Sequence, residues 1–310
     1  MQTILILGGF GFIGSNVLSY IDEYLFNEYQ VVLFDKYKTH HQGLSFNCIK
    51  RVYSGDFSDD SYIDLIFSEN KIDFVLHLLS STVPSTSNNA QYDVESNLIP
   101  TLKLLNIMKH YEVKDIIYMS SGGAIYGDYL QKTHNEEDAV YPKSSYGIVK
   151  LAIEKYLLLY SEIFGFKTLI LRLSNPFGKY HYNDRQGIIN IAIRKALNNE
   201  KLQIWGDGNG FKDYIFITDV CNIMFKLIKQ GIRTNVINIA SGSSYSINQI
   251  VEIIKNIIPS FQWEHINSSR FDVESFELDI TKLKNILGNY KFATFEEGIL
   301  ETIRWENIRM

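Results

Sequence analysis

Residues 3–14 read TILILGGFGFIG, and this stretch decides the fold. Thr3 to Leu7 is a short apolar run that ends in glycines, the pattern of a strand buried on both faces. Gly8, Gly11 and Gly14 then lead into helical apolar spacing over Phe12–Phe26. A glycine-rich turn between strand and helix is the setting that the dinucleotide fingerprint requires. Without side chains the backbone turns sharply and can approach a pyrophosphate. The helix N-terminus adds N–H groups and partial positive charge. Such a turn also occurs with no ligand. The next apolar run, QVVLFD at Gln30–Asp35, weighs against that alternative because it ends in an acid. A carboxylate about 20 residues beyond the glycines can accept both ribose hydroxyls of an adenosine and repels a 2′-phosphate, which selects NAD over NADP. Asp56, in SGDFSD, could reach the adenine amino group or lie in water; spacing alone does not choose.

Outward from this stretch, strand and helix patterns alternate. Asp73–Leu79 and Asp115–Ser121 read as buried strands, with a helix over Tyr92–His110 between them. Helices are expected at Ser144–Phe164 and Gln186–Asn198, with a strand at Lys167–Leu173. The alternation predicts an α/β fold, a Rossmann-type doubly wound parallel sheet covered on both faces. Beyond Asn175 the rhythm loosens. Strands are predicted at Leu202–Trp205, Asp213–Ile217 and Val236–Ala240, and helices near Thr218–Lys229 and Phe295–Asn307. Residues 1–174 are assigned to the NAD-binding domain, with the segment from about 213 to 240 rejoining it. Residues 175–310 form mainly a smaller C-terminal α/β substrate lobe.

Composition sets the function class. The 310 residues are 45% hydrophobic and 21% charged, as in an ordinary globular protein with a large core. A net charge of -5 argues against nucleic-acid binding. Cys48 and Cys221 are far apart, and no HExxH or CxxC occurs, so no metal is expected. No run reaches the roughly 18 apolar residues of a membrane helix. MQTILILGG lacks the basic region of a signal peptide, so a cytoplasmic protein is expected.

The segment SSYGIVK, Ser144 to Lys150, sets Tyr146 and Lys150 four positions apart on one helical face. A free tyrosine has a pKa of about 10, too high for a base at neutral pH. An ammonium about 5 Å away, at an effective dielectric of about 20, contributes roughly 3 kcal/mol. That would bring a phenolate within reach near pH 7 to 8. A tyrosine–lysine pair at this spacing also arises by chance. Its placement after a nucleotide-binding pattern, and after a strand ending in Ser120-Ser121, gives it weight.

With these segments in view, the chain resembles the extended short-chain dehydrogenase/reductases, in the NAD-dependent nucleotide-sugar epimerase/dehydratase group and its UDP-glucose 4-epimerase-like branch. The residues that carry the resemblance are GxxGxxG at Gly8–Gly14, SSGGAIYG at Ser120–Gly127, YxxxK at Tyr146–Lys150, LRLSNPFG at Leu171–Gly178, WGDG at Trp205–Gly208 and KDY at Lys212–Tyr214. The resemblance implies that Tyr146 is the acid/base and that Lys150 holds the nicotinamide ribose while lowering the tyrosine pKa. It gives Gly8, Gly11, Phe12, Ile13 and Gly14 the pyrophosphate and Asp35 the ribose. Asp56 and Phe57 receive the adenine, and Leu78 and Leu79 the cofactor channel. Ser120 also falls on the cofactor, and Asn97 organises the site. On the substrate side it implies Asn175 at the diphosphate and Gln203 and Trp205 beside a pyrimidine base. Lys212 and Arg270 would neutralise phosphate, and Phe276 would gate the sugar pocket. The plainer alternatives are a turn asparagine before Pro176, a core tryptophan and solvated surface cations.

Three departures from the family pattern matter. Four residues before Tyr126, where a Ser or Thr is usual, stands Gly122; Ser121, one position earlier, is the expected hydroxyl. The next two positions, acidic in 4,6-dehydratases, are Gly123 and Ala124, which argues against dehydration. Lys212 replaces an arginine and gives up a bidentate grip on phosphate. The expected activity is NAD-dependent 4-epimerisation of a UDP-glucose/UDP-galactose type substrate through a transient 4-keto sugar. The alternatives are an NAD(P)H-dependent 4-ketoreductase of a deoxysugar nucleotide and a non-catalytic NAD-binding regulatory protein. A homodimer is expected by the same resemblance.

Overall fold

The computed structural model describes residues 1–40, 42–82, 87–127, 132–184, 186–267 and 275–309. The chain opens with β1 (Gln2–Leu7), α1 (Phe12–Tyr20), β2 (Tyr29–Asp35), β3 (Ile49–Ser54), α2 (Asp60–Glu69) and β4 (Phe74–His77). It continues through α3 (Ala90–Asp93), α4 (Ile99–His110), β5 (Asp115–Ser121), α5 (Gly122–Ile125), β6 (Thr133–His134), α6 (Ser145–Phe164), β7 (Lys167–Leu173) and β8 (Asn175–Phe177). Then come α7 (Ile188–Leu197), β9 (Leu202–Trp205), β10 (Phe211–Phe216), α8 (Ile217–Lys229), β11 (Asn235–Ile239) and β12 (Ser244–Ser246). The last elements are α9 (Ile247–Ile257), β13 (Trp263–Ile266), β14 (Ser275–Leu278), α10 (Thr281–Leu287) and α11 (Phe295–Arg309).

Two compact units emerge. The first comprises Met1–Gly127, Val140–Arg172 and Met224–Ile237; the second comprises Asp128–Ala139, Leu173–Ile223 and Asn238–Met310. The large sheet has seven strands in the order β11-β7-β5-β4-β1-β2-β3. β1 pairs in parallel with both β2 and β4, so the strand order reverses beside it. That reversal opens a crevice at the carboxyl ends of the strands, where ligands of doubly wound sheets bind. Ile4, Leu5, Ile6 and Leu7 are fully buried because the sheet is covered on both faces. Leu5, Leu7, Phe34, Val75 and Ile116 pack with Leu104 of α4 and with Ile153 and Leu157 of α6. On the other face Phe225 of α8 stacks on Tyr20 of α1 and meets Tyr29 of β2.

Several boundaries differ from the sequence reading. The helix expected over Phe12–Phe26 becomes a π turn at Ile21–Leu25. The one expected over Tyr92–His110 is interrupted by a π turn at Val94–Leu98. Pro100 lacks the N–H that would bond the Ser96 carbonyl, and that carbonyl accepts a hydrogen bond from Ser81 Oγ. β10 begins at Phe211, two residues before the expected strand.

The second unit is built on short strands. β10 pairs antiparallel with β12 and parallel with β14 and β8, and β14 pairs with β6. β13 and β9 form a separate parallel pair. Phe177, Phe216 and Phe295 meet in its core, where Tyr245 stacks on Phe295 with ring centroids 4.0 Å apart.

Candidate active site

The candidate site of the first unit grows from α6. Ser144 caps this helix by accepting the Gly147 N–H, and Gly165 ends it in a left-handed conformation. The Tyr146 N–H, one of the first-turn donors without an intrahelical acceptor, donates to Ser87 Oγ at 2.9 Å. Ser87 in turn donates to the buried Asp93 carboxylate. Tyr146, Lys150 and Glu154 follow one another on the same face at intervals of four.

Lys150 is buried, and its Nζ donates to the Met119 carbonyl at 2.9 Å. The ammonium lies 4.8 Å from the Tyr118 ring centroid and 5.7 Å from that of Tyr146. The Ser121 hydroxyl acts on the Tyr146 phenol in the direction that favours its ionised form. These distances correct the electrostatic expectation. Burial pushes Tyr146 up to about 12, with the Ser121 hydroxyl pulling the other way. Burial also draws Lys150 down to about 8 against the pull of Glu154. Desolvation disfavours both charged forms and outweighs their mutual attraction. The lysine spends its charge on a carbonyl and a second ring, so the protein alone holds Tyr146 as a phenol.

Tyr146 and Lys150 line a pocket together with His77, Leu79, Asn97 and Tyr118. Asn97 lies in the π turn; its Oδ1 accepts the Ser81 N–H at 2.8 Å and its Nδ2 donates to the Asp93 carbonyl. Thr101 Oγ1 donates to the Asn97 carbonyl, so it accepts from His77 Nε2–H at 3.0 Å. Burial lowers His77 to about 3 and keeps it neutral. His77 Nδ1, Tyr118 Oη and Ser120 Oγ are buried with no hydrogen-bond partner among the described residues.

The glycine turn fits a dinucleotide. Gly14 is pressed against the turn, and a Cβ there would sit 2.5 Å from the Gly8 and Gly9 carbonyl oxygens. No side chain caps α1 at Gly11, and its first turn carries no acid, so its N-terminal dipole is left for an anion. Asp35 closes β2, and its Oδ2 accepts the Phe10 N–H at 2.9 Å. With two orphaned polar atoms lining the pocket, this set suits NAD. Leu78 is bonded through its N–H to Leu7, and Leu79 packs over Gly8. Asp56 is exposed and held low by the Ser58 N–H and hydroxyl. Phe57 is a core ring between Phe34 and His77.

The expected substrate residues lie in the second unit. Asn175 Nδ2 donates to the Asp213 carbonyl, and Asn175 pairs with Tyr214. Lys212 pairs with Tyr245 and Phe276 across β10. Gln203 and Trp205 are exposed, two residues apart on β9. Phe276 is buried and stacked on His134. Arg270 lies outside the described residues.

Residues 4–240 match the model of the NAD-dependent epimerase/dehydratase family. The chain belongs to this family. Within the family it is 31% identical over 306 residues to a protein of Methanocaldococcus jannaschii provisionally named UDP-glucose 4-epimerase, covering 97% of each chain. It is 30% identical to the UDP-glucose 4-epimerase of Halalkalibacterium halodurans over 83% of this chain and 80% of that one. A solved UDP-glucose 4-epimerase from Thermotoga maritima, in complex with UDP-glucose, superposes with a TM-score of 0.90 at 28% identity over 99% of both chains. The family's cofactor, NAD, agrees with the glycine turn and Asp35.

Sequence reasoning missed Ser87, Asp93, Tyr126, Glu154 and Arg172. Glu154 left a signal, as an acid one turn beyond Lys150 on an apolar helix, and Arg172 left another, as a cation inside an apolar strand. Among the described residues no helix is long and apolar enough to cross a membrane, and no group of three His, Cys, Asp or Glu could hold a metal.

Proposed function

We propose that this protein is an NAD-dependent 4-epimerase of a UDP-hexose of the glucose/galactose type. The observation that carries the reading is the pocket that Tyr146 and Lys150 line together, one helical turn apart on α6, with the Ser121 hydroxyl acting on the phenol. Bound NAD would supply a reversible hydride acceptor and, in its oxidised form, a positive charge that favours the phenolate. Tyr146 Oη takes the proton of the sugar 4-hydroxyl and returns it to the 4-keto oxygen. Ser121 holds the phenol and the reacting oxygen in line, and Lys150 binds the nicotinamide ribose. Gly8, Gly11, Phe12, Ile13 and Gly14 hold the pyrophosphate, and Asp35 the adenosine ribose. Asp56 and Phe57 take the adenine end, while Leu78, Leu79, Asn97 and Ser120 border the nicotinamide half.

Asn175, Gln203, Trp205, Lys212 and Arg270 are assigned to the nucleotide and its diphosphate. Phe276 is assigned to the wall of the sugar pocket, where its ring disfavours an N-acetyl group. α5 carries no carboxylate able to expel a 6-hydroxyl, which favours epimerisation over dehydration. A cytoplasmic homodimer completes the reading.

The test is incubation with UDP-galactose without reductant. UDP-glucose forming with no net change in nicotinamide absorbance is expected, and Tyr146→Phe should lower turnover at least about a hundredfold. Stoichiometric oxidation of NADH by a 4-keto sugar, with no epimerisation, would make the protein a ketoreductase. Bound NAD with neither reaction would leave a binding protein.

A further inference from the structure

Glu154 and Arg172 form an ion pair inside the first unit, with side chains 1% and 6% exposed. Arg172 Nε lies 3.2 and 3.3 Å from the two Glu154 carboxylate oxygens, and its NH2 donates at 2.9 Å. Its remaining arm, NH1, donates to Tyr126 Oη at 2.8 Å, and the guanidinium lies over the Tyr126 ring. Tyr126 is fully buried and ends α5, the single turn that follows Ser121. One guanidinium on β7 therefore ties α6, which carries Tyr146 and Lys150, to the turn that follows Ser121.

The same two elements are pinned at a second point. Gly147, next to Tyr146, packs so closely on α5 that a Cβ would lie 2.4 Å from the Ala124 carbonyl oxygen. Ser121 directly precedes the pinned turn, and Tyr146 directly precedes Gly147.

Stability does not account for such an arrangement. A buried ion pair is often no better than well-packed apolar side chains of similar volume, because both charges must be desolvated. Directional, bidentate, charge-assisted hydrogen bonds do fix geometry. We propose that Glu154, Arg172 and Tyr126 are positioning residues that set the distance between the Ser121 hydroxyl and the Tyr146 phenol. The proposal rests on the epimerase reading of the site. Misplacement of reacting groups by about 1 Å can cost roughly a hundredfold in rate, so the effect falls on kcat and not on substrate binding. The titratable groups facing Lys150 are His77 from β4, Tyr118 from β5, and Tyr146 and Glu154 from α6. Loss of Glu154 thus also removes a nearby negative charge.

The experiment compares Tyr126→Phe with the double variant Glu154→Leu/Arg172→Met. Tyr126→Phe keeps the ring and removes only the phenol that Arg172 grips, so the fold is retained. It should lower kcat about tenfold with KM unchanged. The double variant replaces the ion pair with apolar side chains and should keep wild-type Tm or exceed it, yet lose about ten- to a hundredfold in kcat. Crystal structures of both variants supply a readout apart from activity: the Ser121 Oγ to Tyr146 Oη contact should lengthen in the double variant. An unchanged contact, or a stable double variant with wild-type kcat, would overturn the proposal and leave the ion pair a fastening of the fold. If the wild-type protein epimerises no nucleotide sugar, the functional reading fails, and the two crystal structures still decide the positioning role.

Discussion

The Lys150 ammonium is hydrogen-bonded to the Met119 carbonyl at 2.9 Å, at the heart of the parallel sheet's carboxyl edge. A single helical turn separates it from Tyr146, yet its nearest aromatic face is that of Tyr118. Its first effect is therefore on its own environment. A cation buried with one carbonyl acceptor is held below its usual range despite the opposing pull of Glu154, and the phenol beside it is held above its own.

Folding must then respond to pH through Lys150. Its folded pKa, about 8, lies below the unfolded value of about 10.4. Between these values the unfolded chain binds more protons than the folded one, so stability rises with pH across that window. Tyr146 acts in the opposite direction at higher pH, from about 10 upward, because its folded pKa is raised. Lys150→Met removes the first response. The wild-type Tm, measured relative to that variant, should climb between pH 8 and pH 10. A constant difference across the range would refute the depressed lysine.

The glycine turn allows a sharper substitution. Gly14→Ala places a methyl 2.5 Å from two backbone oxygens that no side-chain rotation can move. The turn must open, at roughly 1–3 kcal/mol in stability. Retention of NAD through gel filtration should fall with it. Wild-type denaturant midpoint and full NAD retention in the variant would remove the close packing from the explanation of the motif.

Legibility in the sequence followed the range of the forces involved. β5 and β7 match their expected bounds because each is an apolar run whose burial is decided locally, and β9 matches through the alternation of buried Leu202 and Ile204 with exposed Gln203 and Trp205. α9 was within reach and went unread: Ser246 and Gln249 form a capping box ahead of buried Ile250, Val251 and Ile254. β6, β8, β12 and β14 have two to four residues each and exist only through distant partners, such as Glu277 pairing with Thr133. The π turn that aims Asn97 was hidden for a related reason, since helical spacing continues through it. At the site, Tyr146 and Lys150 could be named from motif spacing, and Asn97 from the family resemblance. The pKa of the pair could not, because it depends on burial by β4 and β5. Arg172 reaches Glu154 across 18 positions and Tyr126 across 46, and no local pattern encodes either contact.

Asp213 tests the KDY segment as structure. Its carboxylate accepts the Ser241 and Gly242 N–H groups at 3.0 and 2.8 Å and the Ser174 hydroxyl at 3.1 Å. Burial raises it to about 6 despite these bonds. Asp213→Asn turns one acceptor oxygen into an amide donor facing N–H groups. A loss of about 1–3 kcal/mol is expected, read from urea denaturation. The folded pKa lies above the unfolded value, so wild-type stability should fall as pH rises from about 4 to 6, and the variant should lack that slope. An unchanged midpoint in Asp213→Asn would show that these donors find other acceptors.

The outward face of α6 carries the last prediction. Val149, Ile153 and Leu157 turn inward and are buried, whereas Ile148, Leu159 and Ile163 are 56%, 42% and 58% exposed. With Tyr156 these exposed side chains follow a helical stripe, and Ile99 at the start of α4 is exposed as well. An apolar stripe on the helix that bears Tyr146 supports the proposed homodimer, since association would remove it from water at about 25 cal/mol per Å². Light scattering should give twice the 35.8 kDa chain mass for the wild-type protein. Leu159→Glu/Ile163→Glu should yield a monomer, because two carboxylates would be buried without partners. Neither position is among the pocket-lining residues, so NAD binding by the monomer should be retained. A wild-type protein of monomer mass at micromolar concentration would refute the dimer and leave the stripe unexplained by self-association.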